Sequence, residues 1–340
     1  MTTDERPASR RPALRDIAET VGVSTALVSF ALNDRPGVSA QTKARILAEA
    51  DRLGYRPDPV ARALRTGESR LFGVVVRNLQ NPHFLDVIGG MQEAAVAAGA
   101  SIVVADADYS AQREASHVDT FASYRIDGLA IAPVGTGSAI GRWQELRPGA
   151  PAVILNASVP GFAQAARVSP DNVEAVRLAT THLAELGHQR IGFLTAPAEL
   201  MADYDRLEAF SRITRDLGVE PAPIETPLNL RAVDELVGHE LAGAGGPTAF
   251  ITNSDFTAHA VYTAARRHGL QVGPDVSVVG HDDLPTSELL DPPLTTLRLD
   301  RRALGRAAFA RLLGGHLTQA HLEPVQLVVR GSTAPPRPRA

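Results

Sequence analysis

The sequence lacks cysteine altogether and is poor in aromatic residues, which make up 5% of its 340 residues. Without cysteine there is no disulfide, thiolate zinc site, iron–sulfur cluster or cysteine nucleophile. No apolar run approaches the roughly 20 residues of a membrane span, and the charged N-terminus MTTDERPASRRP lacks the apolar stretch of a secretory signal. These absences argue against secreted, membrane-spanning and metallothiolate proteins and favour a cytoplasmic one.

Lysine is scarce as well, because Lys43 is the single lysine among 34 basic residues. Residues 1–65 hold 11 basic and 8 acidic residues, a net charge of +3, which leaves −7 for residues 66–340. A basic head on an acidic body indicates that the head meets a polyanion and the body does not. Phosphate contacts are then expected to be made almost entirely by arginine.

A small helical head is predicted at residues 13–54. Apolar residues recur at helical spacing in Leu14–Val21, Gly22 permits a tight turn, and Ser24 suits the cap of a second helix at Thr25–Leu32. A third helix, between Ser39 and Gly54, carries the apolar residues Ile46, Leu47, Ala50 and Leu53. Two short helices joined by a tight turn are typical of a helix-turn-helix, whose second helix can enter the major groove of DNA. Any small three-helix bundle would also fit this pattern.

The motifs of this head resemble those of one family of transcription factors. VGVS, VS-x-x-LN, PGVS and LGYRP-x-x-xAR-x-L occur in the order and spacing of the lactose-repressor (LacI/GalR) family, and the similarity continues through essentially the whole chain. The resemblance implies a DNA-binding regulator, a repressor, whose operator affinity is switched by a small-molecule effector, a sugar or a related metabolite. It also implies a homodimer on a pseudo-palindromic operator of double-stranded DNA, with no cofactor and no membrane.

The resemblance further implies which head residues contact DNA. Thr25, Ala26 and Phe30 would face base edges, and the residues that touch or brace the phosphate backbone would be Ser24, Ser29, Asn33 and Tyr55. Phe30 departs from the family, in which Arg or His is usual at this position. Phenylalanine makes no bidentate contact to guanine but packs on the thymine methyl, so we expect an operator with T·A opposite Phe30.

Residues 58–69 are predicted to link the head to the body, and the resemblance identifies them as a hinge helix. Pro59 suits the first turn of a short helix and Gly67 its end, although a helix of this length is marginal by itself. In the family such a helix orders in the minor groove, where Leu64 would wedge into the central base step and Arg62 and Arg65 would contact phosphates. Residues 1–12 are expected to form a disordered arm.

From Leu71 onward, β-rich runs alternate with Ala-rich helical patterns. The runs lie at 71–76, 101–106, 128–132, 152–155, 190–195, 248–252, 276–280 and 325–329. The helical patterns lie at about 82–98, 110–123, 171–187, 205–217, 231–242, 255–268 and 301–313. Continuous apolar strands alternating with helices predict parallel sheets covered on both faces, and the length of this α/β body favours two tandem units over one.

The resemblance gives the body two Rossmann-like subdomains, as in periplasmic sugar-binding proteins, with the ligand between them. We expect a helix-turn-helix domain at 13–57 and an effector-binding and dimerisation domain at 70–333. The N-subdomain would comprise about 70–168 and 300–322, and the C-subdomain about 172–297 and 325–333. The crossovers are expected near 168–172, 297–301 and 322–325, and residues 334–340 are expected to be a flexible tail.

Candidate effector contacts follow from the strand ends. Ligands of open parallel sheets sit beyond the carboxyl ends of the strands, which nominates the residues Arg77, Asn78, Asn156, Ser254, Asp255, His281 and Asp282. The resemblance makes Asp282 an acceptor for ligand hydroxyls or ring nitrogens and Arg206 a residue that grips the ligand. It also places Phe84, Asn156 and Ser254 at the cleft, whereas Asp283 is expected to cap the turn after its strand.

Several departures from the family bear on the identity of the effector. Leu299 stands where Gln is frequent, Ser254 where Asn is common, Asn156 where Asp is common, and Arg77 where Pro is common. The site is therefore poorer in groups that pair with hydroxyls and richer in positive charge. We hypothesise an effector that is less hydroxylated, or more anionic, than a neutral hexose.

Two other classes of function fit the sequence less well. An enzyme on the same α/β body lacks support, because G-x-S-x-G, G-x-x-x-x-G-K-[ST] and H-E-x-x-H are all absent, and it would leave the helical head unexplained. A periplasmic solute-binding protein would need a signal peptide and no such head. The Pro-rich segment RGSTAPPRPRA has no apolar heptads, which favours a dimer over a tetramer.

Overall fold

The computed structural model describes residues 12–56, 66–162, 165–197, 199–200, 204–226, 229–243, 245–314 and 320–337. It divides into two compact units, Met1–Ser69 and Arg70–Ala340, which we call the head and the body. The expectations for the hinge residues Arg62, Leu64 and Arg65, and for the N-terminal arm up to residue 11, lie outside the described residues.

The head consists of α1 (Leu14–Val21), α2 (Thr25–Leu32) and α3 (Ala40–Arg52). Gly22 ends α1 at φ 75°, and the Ser24 Oγ caps α2 by accepting from the backbone N–H of Leu27 at 3.2 Å. Ile17, Val28 and Ile46 are fully buried where the three helices meet. Leu47, another apolar residue of α3, is 42% exposed, because Ile46 and Ala50, one turn apart, form the inner face of that helix.

The N-subdomain is built on a six-stranded parallel sheet in the order β11-β5-β4-β3-β1-β2. Its strands are β1 (Leu71–Val76), β2 (Ser101–Asp106), β3 (Gly128–Ile131), β4 (Ala152–Leu155), β5 (Ala166–Pro170) and β11 (His321–Glu323). Its helices are α4 (His83–Ala97), α5 (Ala111–Ser123), α6 (Ser138–Leu146) and α11 (Arg301–Gly314). The inner strands β3 and β4 are buried throughout, as expected for a sheet covered on both faces.

The C-subdomain repeats this plan with the order β12-β10-β9-β8-β6-β7, in which only β12 runs antiparallel to its neighbour. Its strands are β6 (Arg190–Thr195), β7 (Glu220–Glu225), β8 (Ala249–Thr252), β9 (Ser277–Asp282), β10 (Thr295–Arg298) and β12 (Gln326–Val328). Its helices are α7 (Asn172–Glu185), α8 (Tyr204–Leu217), α9 (Leu230–Ala242) and α10 (Asp255–Arg267), and a 3₁₀ turn spans Pro285–Glu288.

The chain passes between the two sheets three times: from β5 to α7, from β10 to α11, and from β11 to β12. Four strands and one helix were not predicted from the sequence, namely β5, β7, β10, β11 and α6. The strand β7 reads EPAPIE, and its two prolines are tolerated because β7 lies at the edge of its sheet. The strand β11 is three residues long, too short to show a pattern.

The segment expected to be a flexible tail is hydrogen-bonded to the body at its start. The backbone N–H of Ala334 donates to the Ser277 Oγ at 3.0 Å, and its carbonyl accepts from the same hydroxyl at 3.1 Å. The carbonyl also lies 3.1 Å from the Nε2 of His188, a buried side chain. Further along, the Arg337 guanidinium pairs with Asp275 at 2.9 Å.

The helices α4 and α11 approach so closely that only glycine fits at their crossing. A Cβ on Gly90 would lie 2.1 Å from the Arg302 carbonyl oxygen, and one on Gly305 would lie 2.0 Å from the Val87 carbonyl oxygen. This crossing packs α4, the first helix of the N-subdomain, against α11, the helix that follows the crossover from the C-subdomain. The close packing therefore sets the position of α4, whose first residues line the cleft.

We therefore expect Gly90→Ala to lower the free energy of unfolding by about 1–3 kcal/mol or more, because backbone must move to admit the methyl group. Gly89 is the matched control, since a Cβ there meets its first neighbour, the Arg302 side chain, at an ordinary 3.5 Å. Gly89→Ala is expected to be neutral or slightly stabilising. Urea unfolding of both variants tests this, and equal stabilities would contradict the close approach.

Candidate functional site

In the head, α2 presents one free face. Thr25, Ala26 and Phe30 are exposed, with Phe30 at 38%, while Val28 and Ala31 are buried on the opposite side. The face holds the three residues expected to meet base edges. Because most of its atoms are apolar, it can contact thymine methyl groups better than it can donate hydrogen bonds.

The residues expected at the phosphate backbone also hold the head together. The Ser24 Oγ accepts a hydrogen bond from the N–H of Leu27, and the Asn33 amide donates to the Ser29 carbonyl oxygen at 2.7 Å. Tyr55 is half-buried and packs against the core of the head.

In the body, a cleft opens between the carboxyl ends of the two sheets. The structure brings together there all six residues expected to contact an effector, namely Arg77, Phe84, Asn156, Arg206, Ser254 and Asp282. The first three come from the N-subdomain and the last three from the C-subdomain. The other lining residues are Asn81, His83, Tyr109, Asn229, Leu230, Val233, Asn253, Phe256 and Thr257.

Asp282 is the buried centre of this cleft. It is the last residue of β9, is 3% exposed, and has φ 119°, a left-handed conformation that is unusual for a non-glycine residue. Its Oδ1 lies 2.8 Å from the Nδ1 of His83 and 3.2 Å from the Nδ1 of His281. Burial alone would raise the pKa of this carboxyl, but the two imidazoles hold the pKa well below its ordinary value. Asp282 is therefore ionised at neutral pH.

Arg206 lines the same cleft and is 8% exposed. Its Nε donates to the Asn172 Oδ1 at 2.9 Å, and its Nη1 donates to the Asn253 carbonyl oxygen at 3.1 Å. Its Nη2 lies 3.5 Å from the Nε2 of His281. Burial and the Arg206 charge lower the pKa of His281 to about 4, so that imidazole is neutral at neutral pH.

The opposite wall is formed by Arg77, Phe84 and Asn156. The Arg77 guanidinium lies 5.8 Å from the centre of the Phe84 ring, a cation–π distance, and its two terminal nitrogens approach the Asn156 carbonyl oxygen at 3.4 Å. Phe84 is 3% exposed and belongs to the core of the N-subdomain. Asn156 has φ 48° and directs its side-chain amide at the Nε2 of His83.

Ser254 has a structural task as well, because its Oγ caps α10 by accepting from the N–H of Thr257 at 3.1 Å. Three residues nominated by the strand-end rule do not line the cleft: Asn78, Asp255 and His281. The Asp255 carboxylate is buried and accepts from the Ser287 hydroxyl at 2.6 Å and the Leu284 N–H at 2.8 Å. Burial and the nearby Asp282 raise its pKa to about 6.

Two residues that the sequence singled out have partners within the C-subdomain. Leu299, which stands where Gln is frequent in the family, is 5% exposed within the core of the C-subdomain. Asp283 was expected to cap the turn after β9, but its carboxylate pairs with Arg298 at 2.5 Å and Arg330 at 2.7 Å. In both cases a neighbouring strand or loop supplies partners that the local sequence does not show.

Sequence reasoning missed His83, Tyr109 and Asn253 as lining residues. His83 stands in NPHF beside Phe84, and only the approach of the C-subdomain reveals its contact with Asp282. Within the described residues, no group of three or more His, Asp or Glu side chains is placed to hold a metal ion. No helix in that same part of the chain is long and apolar enough to cross a bilayer.

Comparison with known proteins identifies the family. The family model described as "Bacterial regulatory proteins, lacI family" matches residues 13–58. The model described as "Periplasmic binding protein-like domain" matches residues 180–333. The chain is 36% identical to the HTH-type transcriptional regulator MalR of Streptomyces coelicolor over 94% of this chain and 96% of that protein. It is 31% identical, at the same coverage, to the HTH-type transcriptional repressor CytR of Escherichia coli. The chain belongs to the LacI family.

Among solved structures, the Lac repressor dimer bound to operator and the anti-inducer ONPF has a TM-score of 0.85 and 29% identity, covering 96% of this chain and 100% of that one. This LacI-family protein is a DNA-binding transcriptional regulator and not an enzyme. The expected family, fold class and kind of function are confirmed.

Behind the wall of the cleft, the fully buried Glu114 predicts a pH effect on stability. Its Oε1 accepts from the N–H of Val134 at 2.7 Å, and burial raises its pKa to about 7 against the influence of that hydrogen bond and of Arg77. Between the ordinary carboxyl pKa of 4.5 and about 7, the folded chain keeps a proton that the unfolded chain releases. Stability contributed by this group is therefore lost as pH rises through that window.

We expect the wild-type protein to lose about 2 kcal/mol of unfolding free energy, relative to Glu114→Gln, between about pH 5 and pH 8. Urea unfolding across this range measures the difference, and Glu93→Gln, at an exposed ion pair with Arg302, is the control. Parallel pH profiles for wild type and Glu114→Gln would contradict the raised pKa.

Proposed function

We propose that this regulator is a homodimeric repressor in the cytoplasm, and that its affinity for a pseudo-palindromic operator changes when a small effector occupies the cleft. Three similar proteins support a repressor. CytR is named a repressor, the ribose operon repressor of Bacillus subtilis is 30% identical over 88% of this chain and 90% of that protein, and the Lac repressor structure is a dimer on its operator. A twofold dimer presents two equivalent heads, which calls for two half-sites of opposite orientation.

The cleft can couple the binding of an effector to the affinity for DNA, because its two walls belong to different subdomains. A ligand that contacts Arg77 on one wall and Arg206 or Asp282 on the other favours one relative position of the subdomains. DNA affinity then changes by the difference in ligand binding energy between the two positions, typically about 1–3 kcal/mol.

The charge of the cleft indicates the class of effector, which we propose to be a sugar derivative or related metabolite that carries an anionic group. Arg77 and Arg206 both line the cleft, whereas Asp282 is the single carboxylate among the described lining residues and already faces the imidazole of His83. The amides of Asn81, Asn229 and Asn253 can serve the neutral polar groups of such a ligand. This excess of positive charge is the observation that carries the proposal.

Titration calorimetry of the full chain with neutral sugars, sugar phosphates and nucleobases tests the effector class. We expect binding by anionic members of the panel, and about tenfold weaker binding by Arg77→Gln because a charge-assisted hydrogen bond is lost. Arg113→Gln is the control, since that exposed arginine pairs with Asp108 outside the lining. Tight binding of an unmodified neutral hexose, unaffected by Arg77→Gln, would refute the proposal.

Operator selection from a random DNA library tests the recognition face. For the wild-type protein we expect an inverted repeat with T·A at the position opposite Phe30, because the ring can pack on a thymine methyl. Phe30→Arg should shift that one position toward G·C, and the remaining positions should be unchanged. Identical preferences at every position for the two proteins would contradict the placement of Phe30, and a site without twofold symmetry would contradict the dimer.

A further inference from the structure

The cleft contains an imidazole ring that belongs to the chain itself. His83, the first residue of α4 in the N-subdomain, reaches the carboxylate of Asp282 in the C-subdomain, with 2.8 Å between Nδ1 and Oδ1. Both side chains are at most 5% exposed. We propose that His83 is an internal occupant of the effector site, which holds Asp282 until an effector brings its own donor and replaces the imidazole. The inference rests on the proposed function, since it assumes that an effector enters this cleft.

Three side chains contact the imidazole ring of His83, namely those of Asp282, Asn156 and Phe84. On the far side of the ring, Nε2 faces the side-chain amide of Asn156, whose Oδ1 is buried and has no hydrogen-bond partner among the described residues. The two ends of an amide are interchangeable in such an assignment, and turning this one lets Nε2–H donate to Oδ1. The edge of Phe84 completes the site, with ring centres 5.2 Å apart in a T-shaped arrangement. The Nε2 edge of the imidazole can therefore be given an acceptor, and the ring has an aromatic contact. The Nδ1 edge lies 2.8 Å from the Asp282 carboxylate but makes no hydrogen bond in this geometry.

The backbone that carries the Asp282 carboxylate is held in place independently of His83. The Arg301 guanidinium donates to the carbonyl oxygen of Asp282 and, at 3.2 Å, to that of Asp283. It also pairs with Asp86 on α4 at 2.7 Å. These contacts fix the backbone of the turn and leave the carboxylate itself to His83 and His281. Removal of the imidazole should therefore leave an opening next to an acceptor that has not moved.

The contact between His83 and Asp282 also differs from two other polar links between the subdomains. The pair of Arg167 and Asp205, at 2.6 Å, lies beside the crossover from β5 to α7, and Arg301 begins the helix after the crossover from β10. Neither of these residue sets lines the cleft. A ligand that binds at Asp282 therefore competes directly with His83 and leaves the links at the crossovers intact.

The test supplies free imidazole to a variant that lacks the His83 ring. In full-length His83→Gly, millimolar imidazole should fill the opening and raise the melting temperature by about 2–4 °C. It should also change the affinity for the selected operator at least about fivefold. The wild-type protein, in which the site is filled, should show neither effect. His83→Ala keeps the test available if the glycine variant does not fold, since alanine is a better helix former and also lacks the ring.

Two controls separate this site from other effects of imidazole. The double variant His83→Gly with Asp282→Asn should lose the response, because the charged acceptor is gone, and His117→Gly removes a histidine that lies outside the lining of the cleft. An equal response by the double variant, or by His117→Gly, would overturn the proposal by showing a nonspecific additive effect. If imidazole stabilises His83→Gly but leaves its operator affinity unchanged, the claim that replacement of His83 changes DNA binding would be overturned. If the wild-type protein selects no operator, the proposed function fails, and the melting arm still decides whether His83 occupies the site.

Discussion

The burial of one carboxylate, that of Asp282, is the constraint on which the body of this protein depends. A buried charge without partners costs several kcal/mol, and Asp282 is 3% exposed. Its partners come from both subdomains, because His281 belongs to its own strand and His83 to the facing helix. The same group that an effector would bind is thus a group that joins the two subdomains. A change of partner at Asp282 therefore changes what holds them together.

Several features of the structure keep that carboxylate in position. The glycines Gly90 and Gly305 let α4 and α11 approach closely, and this sets the point at which α4 presents His83. Arg301, at the start of α11, binds the two carbonyl groups of the turn that carries Asp282. Asp255 anchors the next loop from below through Leu284 and Ser287. These contacts hold the turn in one conformation, which is why Asp282 can keep its positive φ.

Much of this organisation was predictable from the sequence. The helices Leu14–Val21 and Thr25–Leu32 have the predicted bounds because each has a clear cap or glycine stop. Most inner strands were predicted from apolar runs. The ends of those runs, together with the family resemblance, identified six residues that line one cleft in the structure. The edge strand β7 was hidden by its prolines and β11 by its shortness.

The contacts that decide the chemistry of the site were not predictable in the same way. His83 is an ordinary helix-start residue in the local sequence, and its role depends on a strand far away in the chain. Leu299 stands where Gln is frequent in the family, and here it fills the core of the C-subdomain. Local patterns thus identify strands, caps and turns, but contacts between subdomains require the assembled fold.

We propose that binding of the effector at Asp282 is what changes the affinity for DNA. The most direct test measures operator binding by the wild-type protein and by Asp282→Asn, each with and without a metabolite that shifts the wild-type isotherm. We expect Asp282→Asn to bind the operator, because the head is intact, and its isotherm not to respond to the metabolite. A variant that responds as strongly as the wild-type protein would contradict the proposal.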